Sequence, residues 1–320
     1  MPSLEIFFHD NCFDGATSAA LFTDFYRRHI DADADVRYVG MQHSAGDPFE
    51  GVALDAEDNA CVDFRYTASE HLTWWFDHHV SAFQPAELRA HFDADRSGQK
   101  FFDPTVKSCA KFIVDTLTRE FGYELPAGFA EFVRWAHVID SAAFASAADA
   151  VDLSPPHMQL MTWLEHNEDA ERTHELIRSM GRDSLAELCR KDWIHEPLQP
   201  LLEQHQRNIE LVRSRALCVS GVVSYDVVSA GDSAPNKFIS YYLFPDARYT
   251  VALSRIKIGL KVSVGYNPWC GKPREHNIAE LCEPYGGGGH PVVGAITFPE
   301  HDLDHMQRAF DEICALLRGG

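Results

Sequence analysis

The sequence predicts an α/β protein whose N-terminal domain is built on a parallel sheet and is joined by a helical connector to a smaller C-terminal α+β domain. Two observations support this prediction. Short apolar runs alternate with a helix-forming segment near the N-terminus, which is typical of βαβ units. The chain also has 320 residues, more than a single hydrophobic core usually organises, so we expect two cores.

Four apolar runs predict the strands of the N-terminal sheet, and they occupy residues 3–8, 36–41, 59–64 and 72–77. The segment 16–29 separates the first two runs and predicts a helix, because it combines good helix formers with apolar residues at helical spacing. Polar residues that directly follow the strands then lie at the carboxyl edge of the sheet, where open α/β sheets place their ligands.

The middle of the chain is mostly helical in pattern, and its last helix, at 196–215, predicts a connector between a domain at 1–195 and a domain at 216–320. In the second domain, strands are predicted within 216–229, 237–244 and 248–266, and helices at 277–285 and 303–318. The apolar alternation within 248–266 changes parity, which predicts a turn or bulge near Ser254 and Arg255.

The composition argues against several classes of protein. Neither a signal peptide nor an apolar stretch long enough to span a membrane is visible, so we expect a cytoplasmic protein without a membrane partner. The eight cysteines have no CxxC spacing, and neither structural disulfides nor a zinc knuckle is expected. The formal charge of −20 argues against binding long nucleic acid, which requires clustered Lys and Arg.

The charge is unevenly distributed along the chain. Residues 1–100 carry 18 acidic against 7 basic side chains, whereas residues 236–275 carry 7 basic against 2 acidic ones. The N-terminal half is therefore suited to cations and the C-terminal half to an anion.

Four clusters of Asp and His follow apolar runs in the N-terminal half. They are HDNCFDG at 9–15, VDF at 62–64, FDHH at 76–79 and HVID at 137–140. If the sheet is parallel, the first three converge at one edge, where buried carboxylates would repel one another unless a cation lay between them. Carboxylates suit manganese or magnesium, and imidazoles favour a transition metal. The number of ligands exceeds the need of one catalytic metal, so we expect two metals that share a carboxylate.

A simpler interpretation exists for each residue alone. An Asp after a strand is more often a helix N-cap or a turn residue, which applies to Asp14 and Asp63 taken singly. The remaining polar residues of this region lack strand-end placement, and we assign them to the solvated surface: His29, His43, His71, His91, Asp31, Asp33 and Asp35.

The C-terminal half contains the run GGGGH, from Gly286 to His290. Successive backbone N–H groups in such a loop can bind an anion, and His290 adds a donor. The run lacks the Lys of a Walker motif, so it is not a P-loop. The alternative is a helix C-cap followed by a tight turn.

Taken together, these motifs resemble the DHH phosphoesterase superfamily over nearly the whole chain. The N-terminal half has the eponymous Asp77, His78 and His79, preceded by HDNCFDG and Asp63 and followed by Asp140. GGGGH is similar to the hallmark of the DHH-associated domain. Openings of the form HxNCxDG resemble those of an oligoribonuclease-like bacterial branch.

The resemblance implies a two-manganese phosphohydrolase, with Mg²⁺ or Co²⁺ as substitutes, in which the N-terminal domain is catalytic and the C-terminal domain binds substrate. His9 and Asp14 would hold the first metal, Asp63 would bridge both, and His78 with Asp140 would hold the second. Asp77 would orient a neighbouring imidazole, and His79 would face the phosphate. The substrate contacts would be Gly287, Gly288, Gly289, His290, Arg255 and Asn267.

Two departures from the superfamily pattern affect this transfer. Many members have a second Asp two residues after the first-motif Asp, but this chain has Ala16 there, so either Asp14 or the softer Cys12 takes a shifted role. The Ser-x-Arg of the associated domain corresponds to Ser263, Val264 and Gly265. The anion contact then falls to Arg255, Lys257, Lys261 or Asn267.

The resulting hypothesis is a manganese-dependent phosphodiesterase that cleaves short oligonucleotides or small nucleotides with metal-activated water. Inorganic pyrophosphatase, small-molecule phosphatase and a non-catalytic nucleotide-binding sensor remain the alternatives. The resemblance leaves a homodimer open.

Overall fold

The computed structural model describes residues 3–43, 46–231, 234–256 and 259–319. Two compact units are present. The first unit is Met1–Phe144 with Leu153–Gln199, and the second unit is Ala145–Asp152 with Pro200–Gly320. Each has its own sheet, so the predicted α/β class with two cores is confirmed.

The strands and helices of the described residues have the following bounds. The strands are β1 (Leu4–His9), β2 (Val36–Met41), β3 (Asp58–Val62), β4 (Trp74–Asp77), β5 (Lys100–Phe102), β6 (Leu217–Val219), β7 (Val222–Asp226), β8 (Tyr249–Ile256), β9 (Gly259–Tyr266), β10 (Gly288–His290) and β11 (Val293–Phe298). The helices are α1 (Phe13–His29), α2 (Leu88–Ala94), α3 (Cys109–Phe121), α4 (Ala130–Asp140), α5 (Ala147–Val151), α6 (Pro156–His166), α7 (Ala170–Ser179), α8 (Leu185–Cys189), α9 (Asp192–Arg215), α10 (Ile239–Leu243), α11 (Ile278–Cys282) and α12 (Leu303–Arg318).

The first unit is built on a parallel sheet with strand order β2-β1-β3-β4-β5. The four strands predicted from apolar runs are all present, whereas β5 was missed because three residues carry too little pattern. Residues 4–8 of β1 are all buried, as expected of a central parallel strand covered on both faces. The ends of β1, β3 and β4 lie side by side at the carboxyl edge.

Helix α1 packs directly against the end of β1. A Cβ at Gly15 would lie 2.1 Å from the carbonyl oxygen of His9, so only glycine permits this approach. The helix begins at Phe13, three residues earlier than predicted, and most of its surface is buried among α3, α4 and the sheet. The HDNCFDG segment is therefore the turn from strand to helix.

The second unit contains a mixed sheet with strand order β10-β11-β9-β8-β7-β6. Only β7 and β8 run parallel within the described residues, and the other neighbours are antiparallel. One face packs on α12 through Met306, Ala309, Ile313 and Leu317, which recur at helical spacing. This is the α+β arrangement that the sequence predicts.

One local prediction in the second unit was wrong, and another was right in one of its two alternatives. The segment 237–244 was expected to be a strand, but it forms α10; Asn236 starts this turn by accepting the Phe238 N–H through its side chain. The parity change in 248–266 comes from the reversal of the chain between β8 and β9, which is the turn of the predicted turn or bulge; Ser254 and Arg255 themselves pair with β9. In this register an odd-numbered residue such as Leu253 faces an even-numbered one, Val262. The turn itself lies outside the described residues.

Across the described part of the chain, none of the helices is both long enough and apolar enough to cross a bilayer.

Candidate metal centre

The strand end of β1 delivers His9 and then a strained turn. Asn11 has a positive φ of 54°, and its side-chain amide donates to the carbonyls of Leu164 at 3.0 Å and Asn167 at 2.9 Å. These bonds hold the left-handed backbone that non-glycine residues otherwise avoid. Cys12 follows as the N-cap of α1, and its side chain makes no capping hydrogen bond.

Asp63, directly after β3, is the central carboxylate of the site. Its φ is 58°, its side chain is fully buried, and neither carboxylate oxygen has a hydrogen-bond partner. Oδ2 lies 3.4 Å from Nδ1 of His9, and Oδ1 lies 3.4 Å from Nε2 of His78. A buried carboxylate without hydrogen bonds is costly, so its position between two imidazoles requires a compensating positive charge.

The end of β4 positions His78 and His79 through Asp77. Oδ1 of Asp77 accepts the backbone N–H of His78 at 2.8 Å and lies 2.7 Å from Nδ1 of His79. This carboxylate is fully buried. Asp77 thus makes the expected contact with an imidazole, and that imidazole belongs to His79.

Asp14 and Asp140 come from helices rather than from strand ends. The two oxygens of Asp14 accept the backbone N–H groups of Cys109 at 2.6 Å and Ala110 at 2.9 Å, so Asp14 satisfies the N-terminus of α3. Asp140 is the last residue of α4, and its Oδ2 lies 3.6 Å from Nε2 of His78.

Three overlapping groups of potential ligand atoms result from this arrangement. The groups are His9–Cys12–Asp63, Asp63–His78–His79 and Asp14–His78–Asp140, and within each group the ligand atoms lie within 4.8 Å of one another. Asp63 is common to the first two groups, and His78 to the last two. The structure therefore brings together every residue that the resemblance implied as a metal ligand, but it groups Asp14 with His78 and Asp140 rather than with His9, which has Cys12 beside it.

The pKa values in this cluster show how strongly its charges interact. Burial and the charge of Asp63 raise the pKa of both Asp14 and Asp140. Burial also acts to raise the pKa of Asp63, but the imidazoles of His78, His9 and His79 outweigh it and hold this pKa well below its usual value.

The two imidazoles of the DHH motif shift in the opposite sense. Burial acts to lower the pKa of His78, but Asp63, Asp14 and Asp140 raise it to about 9. Burial likewise opposes the effect of Asp77 on His79, whose pKa is also raised to about 9. The cluster attracts positive charge, which a divalent cation would provide in place of the protons.

The donor set fits a divalent transition metal. Asp63 presents two oxygens, and Nδ1 of His9 and Nε2 of His78 are buried atoms without hydrogen-bond partners. Carboxylate oxygens combined with imidazole nitrogens are the ligands of such metals. Burial of so many unsatisfied atoms in one place is otherwise rare in folded proteins.

Ala16 offers no ligand atom to the cluster and is a fully buried residue within α1. Cys12 and Asp14, which are two residues apart, each offer one ligand atom, and these atoms lie in different ligand groups. Asp14 and Cys12 therefore both remain candidates of the first motif.

His43 is exposed, as predicted, but its ring also lies beside the candidate ligands. Its ring stacks on Phe64 with centroids 4.9 Å apart, and its centroid is 4.9 Å from that of His9. The ring therefore lies at the rim of the metal cluster although the residue is exposed. The signal available in the sequence was its position two residues after the end of β2, at the same sheet edge.

The GGGGH run is an edge strand rather than a loop of successive amides. Gly286 is left-handed with φ of 76°, and caps the turn that follows α11, while Gly288–His290 pair with β11. A Cβ at Gly287 would lie 2.4 Å from the Ala295 carbonyl oxygen. Close packing and backbone conformation thus account for several of these glycines, and the predicted anion-binding nest is not formed.

Of two further predicted substrate contacts, Asn267 is contradicted by its surroundings, whereas Arg255 stays a prediction. Asn267 is fully buried; its amide donates to the carbonyls of Pro245 and Ala247, and its oxygen accepts the Trp269 N–H. Arg255 pairs with Glu300.

The strand register separates Arg255 from GGGGH. Arg255 pairs with Leu260, which in turn pairs with Phe298 at one end of β11. His290 pairs with Val293, at the other end of β11. Five residues of strand separate these positions by roughly 16 Å. The candidate Lys257 lies outside the described residues.

A five-stranded parallel sheet followed by a unit with a mixed sheet is a fold that several solved structures share, one of them described as a DHH domain. Among solved structures, PggH from Vibrio cholerae, a pGpG-specific phosphodiesterase, is similar with a TM-score of 0.69 and 19% identity, covering 98% of this chain and 99% of the other. This similarity covers nearly the whole of both chains and shows that they share a fold.

Two other solved structures share this fold. An exopolyphosphatase-related protein from Bacteroides fragilis has a TM-score of 0.52 and 13% identity over 98% of this chain and 93% of its own. RecJ from Thermus thermophilus, in complex with Mn²⁺, has the same TM-score and identity, over 98% of this chain and 52% of RecJ. No protein-family model and no curated protein matches the sequence.

Proposed function

We propose that this chain is a metal-dependent phosphodiesterase that hydrolyses short oligonucleotides or small nucleotides. The observation that carries the proposal is the fully buried Asp63, whose two unpartnered oxygens lie between His9 and His78. The shared fold with a phosphodiesterase and an exonuclease supports the same class.

The ligands divide into two positions that share Asp63. His9 and Asp63 belong to one position. We assign His78 to the other, because it lies near Asp63 and near Asp140, and it shares a ligand group with Asp140 and Asp14. Bound divalent cations, Mn²⁺ being our first choice, would supply a nucleophilic water at neutral pH and stabilise charge on the phosphoryl oxygens. The two-cation count is part of the proposal.

His79 is the residue that we assign to the phosphate. Its Nδ1 is engaged by Asp77, so Nε2 is the nitrogen left to contact a phosphoryl oxygen. In the metal-free cluster Asp77 outweighs the effect of burial and raises the pKa of His79 to about 9, which favours the protonated ring that could donate a charge-assisted hydrogen bond to the anion. Asp77 keeps the ring in this orientation.

The substrate is expected to be small. The chain carries a net charge of −20, which disfavours the many phosphate contacts of a long strand. Because the similar PggH structure is that of a pGpG-specific enzyme, we propose linear dinucleotides as the first class to test. In the second unit, His290 and the edge glycines 287–289 remain our proposed contacts to the rest of the substrate.

The test is a product-resolved assay with purified, metal-stripped protein. Mn²⁺ is added back with pGpG, other dinucleotides, trinucleotides to pentanucleotides, cyclic dinucleotides, 3′-phosphoadenosine phosphate and pyrophosphate, and products are identified by mass spectrometry. We expect mononucleotides from the linear dinucleotides and no turnover with chelator. Preferred turnover of pyrophosphate would replace the proposal with a pyrophosphatase, and absence of turnover of every compound would refute a hydrolase.

A further inference from the structure

Cys12, two residues before Asp14, differs in its surroundings from Cys61 and Cys109 of the first unit. Cys61 and Cys109 are fully buried in the core, and their sulfurs approach the backbone carbonyls of Phe64 and Phe76. These are the surroundings of thiols that act as small apolar residues. Cys12 is only partly buried and lies at the strand-to-helix turn that forms the metal centre.

The neighbours of Cys12 are unsatisfied metal ligands. Its sulfur, a nitrogen of His9 and an oxygen of Asp63 lie within 4.8 Å of one another. Asp63 is fully buried with both oxygens unpartnered, and Nδ1 of His9 is also a buried atom without a hydrogen bond. A thiol placed beside two such atoms is in the position of a third ligand.

The backbone directs the sulfur into this group. Cys12 is the N-cap of the 17-residue helix α1, yet its side chain makes no capping hydrogen bond. The preceding Asn11 is held in the left-handed conformation by its bonds to Leu164 and Asn167.

We propose that Cys12 is a thiolate ligand of the cation that His9 and Asp63 hold. When the cation binds, a metal–sulfur bond forms and the thiol proton passes to solvent. This inference rests on the proposed function, because it requires that the centre binds a metal.

The two metal positions then differ chemically. Sulfur joins His9 and Asp63 at one position, whereas Asp14, His78 and Asp140 offer only oxygen and nitrogen at the other. Soft thiolate ligands select metals such as Zn²⁺, Co²⁺ or Fe²⁺ over Mg²⁺. The position of Cys12 therefore takes a transition metal even when Mg²⁺ is in excess.

Cobalt substitution tests the metal–sulfur bond directly. Metal-stripped protein is titrated with Co²⁺, and near-ultraviolet absorption is recorded for the sulfur-to-cobalt charge-transfer band, with bound cobalt counted by elemental analysis. We expect the band in the native chain and in Cys218→Ser, a control at an exposed cysteine of the second unit, and its loss in Cys12→Ser.

Metal preference is the second readout. Loss of a residue that only orients a ligand costs about 10- to 100-fold in metal affinity, so Cys12→Ser should weaken Zn²⁺ binding at this position at least about tenfold. Cys12→Asp should restore Mn²⁺ binding without the preference for Zn²⁺.

Alkylation of the native chain tests the contact between Cys12 and the metal without any variant, so the test does not depend on whether a variant folds. Iodoacetamide labelling is followed by peptide mass spectrometry with and without Zn²⁺. We expect Zn²⁺ to protect Cys12 while the exposed Cys218 reacts equally in both samples.

The outcomes separate this inference from the proposed function. Bound cobalt and dinucleotide hydrolysis without a charge-transfer band, or with a band that persists in Cys12→Ser, would overturn the role of Cys12 and leave the phosphodiesterase intact. If no divalent metal binds and no substrate is hydrolysed, the proposed function itself fails.

Discussion

Oδ1 of Asp77 lies 2.7 Å from Nδ1 of His79 and also accepts the backbone N–H groups of His78 and His79. One buried carboxylate oxygen therefore fixes both the turn after β4 and the orientation of the imidazole. Asp77 contacts the imidazole of His79, but it contacts His78 only through the backbone N–H. We therefore assign different roles to the two histidines.

The substitution Asp77→Asn is expected to lower kcat through His79. An asparagine cannot hold a protonated Nδ1 as a carboxylate does, so we expect a loss of about 10- to 100-fold in kcat, typical of residues that orient a catalytic group. The measurement is dinucleotide hydrolysis at saturating Mn²⁺. The double variant Asp77→Asn/His79→Ala should be no slower than His79→Ala alone, and additive losses would show that Asp77 acts independently.

Removal of the Asp63 carboxylate should abolish the effect of bound metal on the free energy of unfolding. In the native chain, Mn²⁺ at about 100 times its dissociation constant is expected to add about 2.7 kcal/mol to the free energy of unfolding and raise Tm. Asp63→Asn should abolish this metal-dependent shift and hydrolysis together. Asp115→Asn, at an exposed position of α3, serves as the control and should retain both. A full metal shift in Asp63→Asn would contradict the shared-ligand assignment.

Asp14 has a structural function that is independent of metal. Because its oxygens accept the Cys109 and Ala110 N–H groups, Asp14→Ala leaves two buried donors unsatisfied. We expect a loss of about 1 to 3 kcal/mol in unfolding free energy, measured by urea denaturation in the presence of chelator. Asp115→Ala, at an exposed position of α3, should cost less than about 0.5 kcal/mol. Equal stability of the two variants would argue against the capping role.

The glycines of GGGGH should differ in their tolerance of alanine. Gly289 has φ of 148°, and a Cβ there would lie 2.3 Å from the Val293 carbonyl oxygen. We expect Gly289→Ala to lower unfolding free energy by about 1 to 3 kcal/mol. Gly288 has no atom within 4 Å of a Cβ, so Gly288→Ala should change it by less than about 0.5 kcal/mol. Thermal denaturation of both variants distinguishes these expectations.

His290 tests the substrate role of the second unit. The residue is exposed on the edge strand β10, so His290→Ala should leave metal content and Tm unchanged. If His290 contacts a substrate phosphate, KM should rise by about tenfold with kcat nearly constant, corresponding to about 1.4 kcal/mol. An unchanged KM for dinucleotides and trinucleotides would exclude the contact.

Much of the first unit could be predicted from the sequence because its strands are local patterns. The runs around Phe7 and Phe76 are apolar for their whole length, as buried parallel strands are, and the strand ends place Asp63 and His78 at one edge. Segment 237–244 shows the limit of such patterns. Its aromatic and β-branched residues favour a strand, but the side chain of Asn236 and packing of Ile239 and Tyr241 produce α10.

The amino-acid sequence by itself determined the α/β class, the edge at which the polar residues gather and the acidic and imidazole character of the cluster, since these follow from strand periodicity and side-chain chemistry. Only the tertiary structure decided how the ligands are shared. It placed Asp14 on the α3 amides, brought Cys12 to His9 and Asp63, and enclosed Asn267 among backbone carbonyls. Those outcomes depend on contacts between residues far apart in the chain, which no local pattern encodes.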